Sequence, residues 1–306
     1  MLNNLPKKVR LIEVGPRDGL QNEKTIVSIE DKLTFITKLA SAGLREIEAT
    51  SFVKADKIPQ MSDGAELFGL LKKEPSLAQT RLTSLVPNLK GMEAAINAGV
   101  KDIAIFTATS NTFNQKNINA NISESLVRIE EVIKQAKSNG IAVRGYISTV
   151  FGCPYEGKTS LDELKRVAHK LQDLGVYEIS LGDTIGIANP RQVIEVIEFL
   201  KKDFKLDFLS MHFHDTRGLA VANVLASLEM GITSFDSSAA GLGGCPYAIG
   251  ASGNVATEDL VNLFHSMGIE TGVNMKKLAL ASQFILKCLN RTSASKYLNA
   301  FIGSGY

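Results

Sequence analysis

Tryptophan is absent from this chain of 306 residues, and cysteine occurs only three times, as Cys153, Cys245 and Cys288. Three widely spaced thiols suit neither a disulfide framework nor a cysteine-based zinc site, and they fit a reducing compartment. An excess of one charge is also missing, with 34 Lys and Arg against 32 Asp and Glu and a formal net charge of +2. No Lys/Arg block marks a groove-binding arm, so there is no electrostatic case for a nucleic-acid partner. No apolar run is long enough to cross a bilayer. The stretch Met1 to Lys8 is too short and polar for a signal or transit peptide. These absences lead to the expectation of a cytoplasmic protein with no membrane partner.

Hydrophobic residues make up 44% of the chain, enough for a large core. Short apolar runs alternate with longer helical patterns from end to end. Strands are expected near Val9–Val14, Glu46–Ala49, Arg81–Val86, Asp102–Thr107, Ala142–Thr149, Glu178–Leu181, Leu209–His214 and Ser234–Ala239. Amphipathic helices are expected at Ile29–Ala42, Gly91–Ala98, Ser123–Ser138, Leu161–Leu174, Pro190–Phe199 and Leu219–Met230. Several of these stop at a glycine, namely Gly43, Gly99, Gly140, Gly175 and Gly231. About eight such βα units is the number that closes a (β/α)8 TIM barrel; an open doubly wound sheet usually has fewer. With no linker or composition shift, one catalytic domain over residues 1–306 is expected. The barrel would take about 8–268 and a C-terminal helical extension about 269–306, carrying one extra helix at Met275–Leu289.

In a TIM barrel, functional groups gather where strands end. Strand one runs into Gly15, Pro16, Arg17, Asp18 and Gly19; strand two reaches Glu48; strand six ends at Asp183. Strand seven carries His212 and His214, and strand eight leads through a glycine-rich loop to Asn254. Closure sets strand eight beside strands seven and one, so residues from both ends of the sequence meet at one mouth. His212 and His214 lie two apart, which on a strand points both imidazoles to one face. With Asp18 they make a nitrogen and oxygen donor set for a metal ion, to which Asn254 can add an amide oxygen. The plainer possibility for the pair is two core histidines that merely hydrogen-bond. His169 and His265 fall on helices and are read as ordinary surface or packing residues. Arg17 suits an oxyanion or carboxylate, or else a salt bridge to Glu48 or Asp183. Cys245 is either a thiol carried to the site by a mobile glycine loop or a small buried residue in a tight one.

Gly152 to Thr159 matches the phosphate-loop pattern G-x-x-x-x-G-K-[ST]. The match is poor physics, because Pro154 has no N–H for a phosphate and Glu156 would repel one. A nucleotide-binding protein therefore remains only a remote alternative.

Taken together, the sequence resembles the 3-hydroxy-3-methylglutaryl-CoA lyase family within the TIM-barrel metallolyases. The resemblance is carried by segments 13–23, 48–52, 59–61, 85–88, 116–119, 152–157, 181–186, 212–216, 243–247 and 252–254. The Arg-Asp-Gly turn and the His-x-His strand are shared across the superfamily, whereas the two Cys-Pro-Tyr loops are particular to the lyases. The resemblance implies a divalent cofactor, Mg2+ or Mn2+, bound by Asp18, His212, His214 and Asn254. It implies a catalytic Arg17, an acyl site shaped by Glu48 and Asp183, and a loop thiol at Cys245. Gln21, Ser51 and Ser180 fall where the family's acyl pocket lies. Asn111 stands where the family pattern has Glu, and Arg217 where some relatives have Tyr.

The implied reaction splits an acyl-CoA substrate into acetyl-CoA and acetoacetate, as in leucine degradation. Its base is left among Asp18, His212 and a water held by the metal, and its proton donor between Cys245 and His212. A Claisen-type alkylmalate synthase of the same superfamily is the rival enzyme, and a non-catalytic barrel is a further alternative. Lys24 and Lys54 are candidates for the CoA phosphates. A homodimer is expected on the frequency of such assemblies.

Overall fold

A computed structural model describes residues 5–244 and 253–303. Eight parallel strands close on themselves in sequence order. They are β1 (Arg10–Glu13), β2 (Glu46–Ser51), β3 (Arg81–Leu85), β4 (Asp102–Ala108), β5 (Ala142–Ser148), β6 (Ile179–Asp183), β7 (Leu209–Phe213) and β8 (Ser234–Ser237). The closing pair sets Arg10 against Ser234 and Glu13 against Ser237. The helices on the barrel's outer side are α1 (Ile29–Ser41), α2 (Gly64–Leu71), α3 (Leu89–Ala98), α4 (Asn111–Ile118), α5 (Ile122–Ser138), α6 (Leu161–Asp173), α7 (Pro190–Leu200), α8 (Ala220–Glu229) and α9 (Thr257–Ser266). This is the (β/α)8 TIM barrel that the alternation predicts.

The helices start where side chains take up free backbone donors. Ser160 accepts from the Glu163 amide at the head of α6, and Asn189 with Gln192 makes a reciprocal cap on α7, with Pro190 in its first turn. α6 then buries Leu164, Val167, Ala168 and Leu171, a stripe at helical spacing that packs on the sheet. At the other end, Gly99 closes α3 in a left-handed conformation at φ 77°, which a side chain would strain. Gly43, Gly140, Gly175 and Gly231 likewise have positive φ just past their helices.

Strand β7 is buried along its whole length. Leu209, Met211 and Phe213 join the apolar layer under the helices. Ser210 and His212, on the alternate face, hydrogen-bond inside the barrel. Helices α2, α4 and α9 lie outside the expected helical spans, and two further points differ from expectation. The strand stops at Phe213, and His214 just beyond it bridges to Asn254. The C-terminal extension holds two helices rather than one, α10 (Met275–Leu289) and α11 (Lys296–Gly303). α10 packs along α1, and α11 packs on α9 with Leu298 buried.

Candidate active site

The chain leaves β1 through a wide turn at Gly15–Gly19. The amides of Gly19 and Leu20 reach back five residues to the carbonyls of Val14 (3.1 Å) and Gly15 (2.9 Å). Such one-turn widenings recur at functional sites because they re-aim side chains. Here the turn places Arg17 and Asp18 at the open end of the barrel, with Arg17 only 6% exposed.

One donor atom each from Asp18, His212 and His214 lies within 4.8 Å of the others. His212 directs Nδ1 at Asp236 Oδ2 (3.1 Å), and its Nε2 stands 4.0 Å from Asp18 Oδ2. The rings of His212 and His214 are 5.3 Å apart. His214 Nδ1 is buried with no hydrogen-bond partner among the described residues. Burial, with His212 adding to it, pushes His214 down to about 4, so its imidazole is neutral at physiological pH. An unpartnered buried nitrogen in a neutral ring, beside a carboxylate and a second imidazole, is the donor set a divalent cation takes. The residues therefore fit a metal. Asn254 adjoins them, but it is Nδ2 that it offers, donating to Asp18 Oδ2 (2.8 Å) and to the Leu242 carbonyl (3.2 Å).

Arg17 lies between Glu48 and Asp18, donating from Nε to Glu48 Oε2 (2.9 Å) and from Nη1 to Asp18 Oδ1 (2.8 Å). The salt bridge expected for it thus runs to Glu48 and Asp18, not to Asp183. Burial drives the Asp18 carboxyl up, but Arg17 and the two histidines outweigh it and hold the group below its usual range. Gln21 Nε2 donates to the same Oδ1 (2.9 Å). Burial raises Glu48, whose Oε1 is buried without a partner among the described residues.

Behind these groups stands a layer that the sequence reading did not single out. Arg144, from the middle of β5, donates to Glu178 Oε1 (2.7 Å), Asp236 Oδ1 (2.8 Å) and the Tyr146 hydroxyl (2.9 Å). Tyr146 in turn donates to Glu48 Oε2 (3.3 Å). Burial works against ionised Asp236, and Arg144 and His212 overcome it, leaving that carboxyl far below the ordinary range. The available signal was alternation: Ser210 and His212 on β7, and Ser234 and Asp236 on β8, are polar residues two apart on wholly buried strands.

The remaining candidates divide. Asp183 accepts the amides of Ile187 (2.9 Å) and Ala188 (3.1 Å), so both its oxygens hold the turn after β6, and burial raises it to about 6. Ser180 donates to Asp236 Oδ2 (2.7 Å), while Ser51 Oγ is buried with no partner among the described residues. Cys245 lies outside the described residues. At the base of its loop, a Cβ on Gly253 would stand 2.7 Å from the Gly243 carbonyl carbon, so the close approach there requires glycine at 253. Lys24 and Lys54 are exposed. His169 packs on Phe204, and His265 bonds Thr271. Asn111 accepts the Ile122 amide (2.9 Å) at the start of α5, and Arg217 donates to the Gly186 carbonyl (3.2 Å). The stretch matching a phosphate loop folds on itself. Cys153 Sγ accepts the amides of Tyr155 and Glu156 (both 3.4 Å), and Gly157 N donates to the Cys153 carbonyl (2.9 Å). Amides turned inward in this way are lost to a nucleotide.

Similarity to known proteins identifies the family. The model of the HMGL-like family matches residues 8–285. The mitochondrial hydroxymethylglutaryl-CoA lyase of Bos taurus is 50% identical over 98% of this chain and 91% of its own. A cytoplasmic 3-hydroxy-3-methylglutaryl-CoA lyase of Rattus norvegicus is 48% identical over 98% of this chain and 86% of its own. The crystal structure of hydroxymethylglutaryl-CoA lyase from Pseudomonas aeruginosa superposes with a TM-score of 0.95 at 47% identity, covering 99% of this chain and all of that one. The chain belongs to the HMGL-like family, that of the hydroxymethylglutaryl-CoA lyases.

Proposed function

We propose that this chain cleaves 3-hydroxy-3-methylglutaryl-CoA to acetyl-CoA and acetoacetate, using Mg2+ or Mn2+ held by Asp18, His212, His214 and Asn254. The observation that carries the proposal is the cluster of Asp18, His212 and His214 donors within 4.8 Å, with Arg17 Nη1 2.8 Å from Asp18. The names of the relatives supply the substrate. When bound, the cation supplies Lewis acidity that lowers the pKa of the substrate's tertiary hydroxyl.

The chain's own residues do the rest. The hydroxyl proton leaves to Asp18, the carbinol carbon becomes the ketone of acetoacetate, and the bond to the thioester's α-carbon breaks. The electron pair of that bond becomes a thioester enolate. Arg17, buried and fixed in advance by Glu48 and Asp18, stabilises the negative charge. A proton from Cys245 then converts the enolate to acetyl-CoA. Glu48, Ser51, Gln21, Ser180 and Asp183 border or brace the acyl site. Lys24 and Lys54 are the candidates for the CoA phosphates.

No helix among the described residues is long and apolar enough to cross a membrane. A cytoplasmic homodimer acting in leucine degradation completes the proposal. The test is acetoacetate formation from the CoA thioester with and without a chelator. Chelator-sensitive release supports the proposal. Release of free thiol from acetyl-CoA and a 2-oxo acid, with no acetoacetate from the lyase substrate, would overturn it in favour of the synthase.

A further inference from the structure

The register of the last two strands pairs His212 on β7 directly with Asp236 on β8. Both side chains point into the barrel, and Asp236 is 2% exposed. Each oxygen of Asp236 is engaged. Oδ1 accepts from Arg144 Nη2 (2.8 Å), while Oδ2 accepts the Ser180 hydroxyl (2.7 Å) and faces His212 Nδ1 (3.1 Å). An ionised carboxylate only accepts hydrogen bonds. The imidazole atom facing it therefore carries the proton, and in the neutral ring the lone pair falls on Nε2, the atom turned toward Asp18.

From this geometry we propose that Asp236 is a positioning residue that holds His212 in its Nδ1–H tautomer, so that Nε2 is available as a metal donor. Arg144 and Ser180 keep the carboxylate from turning. The ring is fixed on a further side by Tyr146, edge-on at 6.1 Å between centroids. Partners of this kind orient metal-ligating histidines and make them more basic. Arg144 is itself braced by Glu178 and reaches Glu48 through Tyr146, so one buried guanidinium supports both the His212 side and the Arg17 side of the site. A plainer role for Asp236 would be to neutralise Arg144 alone. In that case the histidine tautomer would not depend on it.

The proposal rests on the metal assignment made above, and its test separates the two. Nitrogen-15 NMR of the histidines in wild-type protein, at a pH where they are neutral, reads the tautomer without any metal. His212 as Nδ1–H is expected, and His212 as Nε2–H overturns the proposal. Asp236→Asn keeps the size of the side chain and an oxygen for Arg144, but turns an N–H toward Nδ1. This variant should move the proton to Nε2 and weaken Mn2+ binding to apo-protein, followed by the signal of free Mn2+, by roughly 10- to 100-fold. An unchanged tautomer with affinity within about twofold of wild type overturns the proposal. Should Asp236→Asn not fold, Ser180→Ala loosens the same carboxylate and should shift Mn2+ affinity in the same direction, and an unshifted affinity there counts against Asp236. Wild-type protein that fails to bind Mn2+ at all would instead sink the metal assignment and leave the tautomer result standing.

Discussion

Arg17 is fixed in place before any substrate arrives, because Glu48 and Asp18 hold its Nε, Nη1 and Nη2 from opposite sides. Replacing Arg17 with Met keeps the apolar stem and removes the charge. On the proposed chemistry, kcat should fall roughly a thousandfold, while Mn2+ affinity measured by titration changes little, since the ligand set is intact. Near-normal turnover would refute the role. Glu48, already raised by burial, can take up a proton in that variant, which limits the loss of stability. Asp18, His212 and His214 were legible in the sequence because their types and spacing already describe a donor set. Arg144 and Asp236 were not, because a charge on a strand reads as a surface residue until closure of the barrel turns that face inward.

At the scale of elements, two buried glutamates clamp the turn that follows β8. Glu13 Oε1, at the end of β1, accepts the amides of Gly15 (2.8 Å) and Ala239 (2.9 Å), and Oε2 takes the Thr257 hydroxyl (2.7 Å). Glu258, in the first turn of α9, accepts the Ala240 amide with both oxygens (3.0 Å each) and bonds Ser282 on α10. Burial raises both carboxyls to about 7 against those hydrogen bonds. A folded-state pKa above the unfolded value means that the folded chain binds the proton more tightly. The contribution to stability is therefore complete below about 4.5 and lost as pH rises through about 7. Glu258→Gln cannot ionise, so its unfolding free energy, measured by urea melts across this window, should fall less with pH than that of wild type. Parallel profiles would show that Glu258 does not titrate there.

The elements that sequence analysis missed lacked start signals or stripes. Neither Asp63 before α2 nor Ala256 before α9 makes a side-chain cap, Asp63 being engaged by Lys32. α4 is polar nearly all round, with Phe113 and Asn114 its buried residues. The eight strands were legible because short apolar runs alternate with helical patterns, five of which end at a glycine.

Across the whole molecule, the proposed ligands come from the turn after β1, the end of β7 and the segment after β8, so an ion would staple the barrel's closing seam. A ligand that binds only the folded state raises stability by about 2.7 kcal/mol at a hundred times its dissociation constant. Scanning calorimetry should show a melting temperature several degrees higher in Mn2+ than in chelator. His214→Ala should abolish the difference. Equal melting temperatures for wild type in the two conditions would count against a metal at this seam.

The contact between Asn254 and Asp18 spans 236 residues of chain. A polypeptide emerging from the ribosome therefore holds Arg17 and Asp18 from the outset, yet would have nowhere to seat the proposed cation until its eighth strand has been made and has docked. Synthesis completes the catalytic pocket almost last, and partial translation products remain inert however well their early βα units have folded.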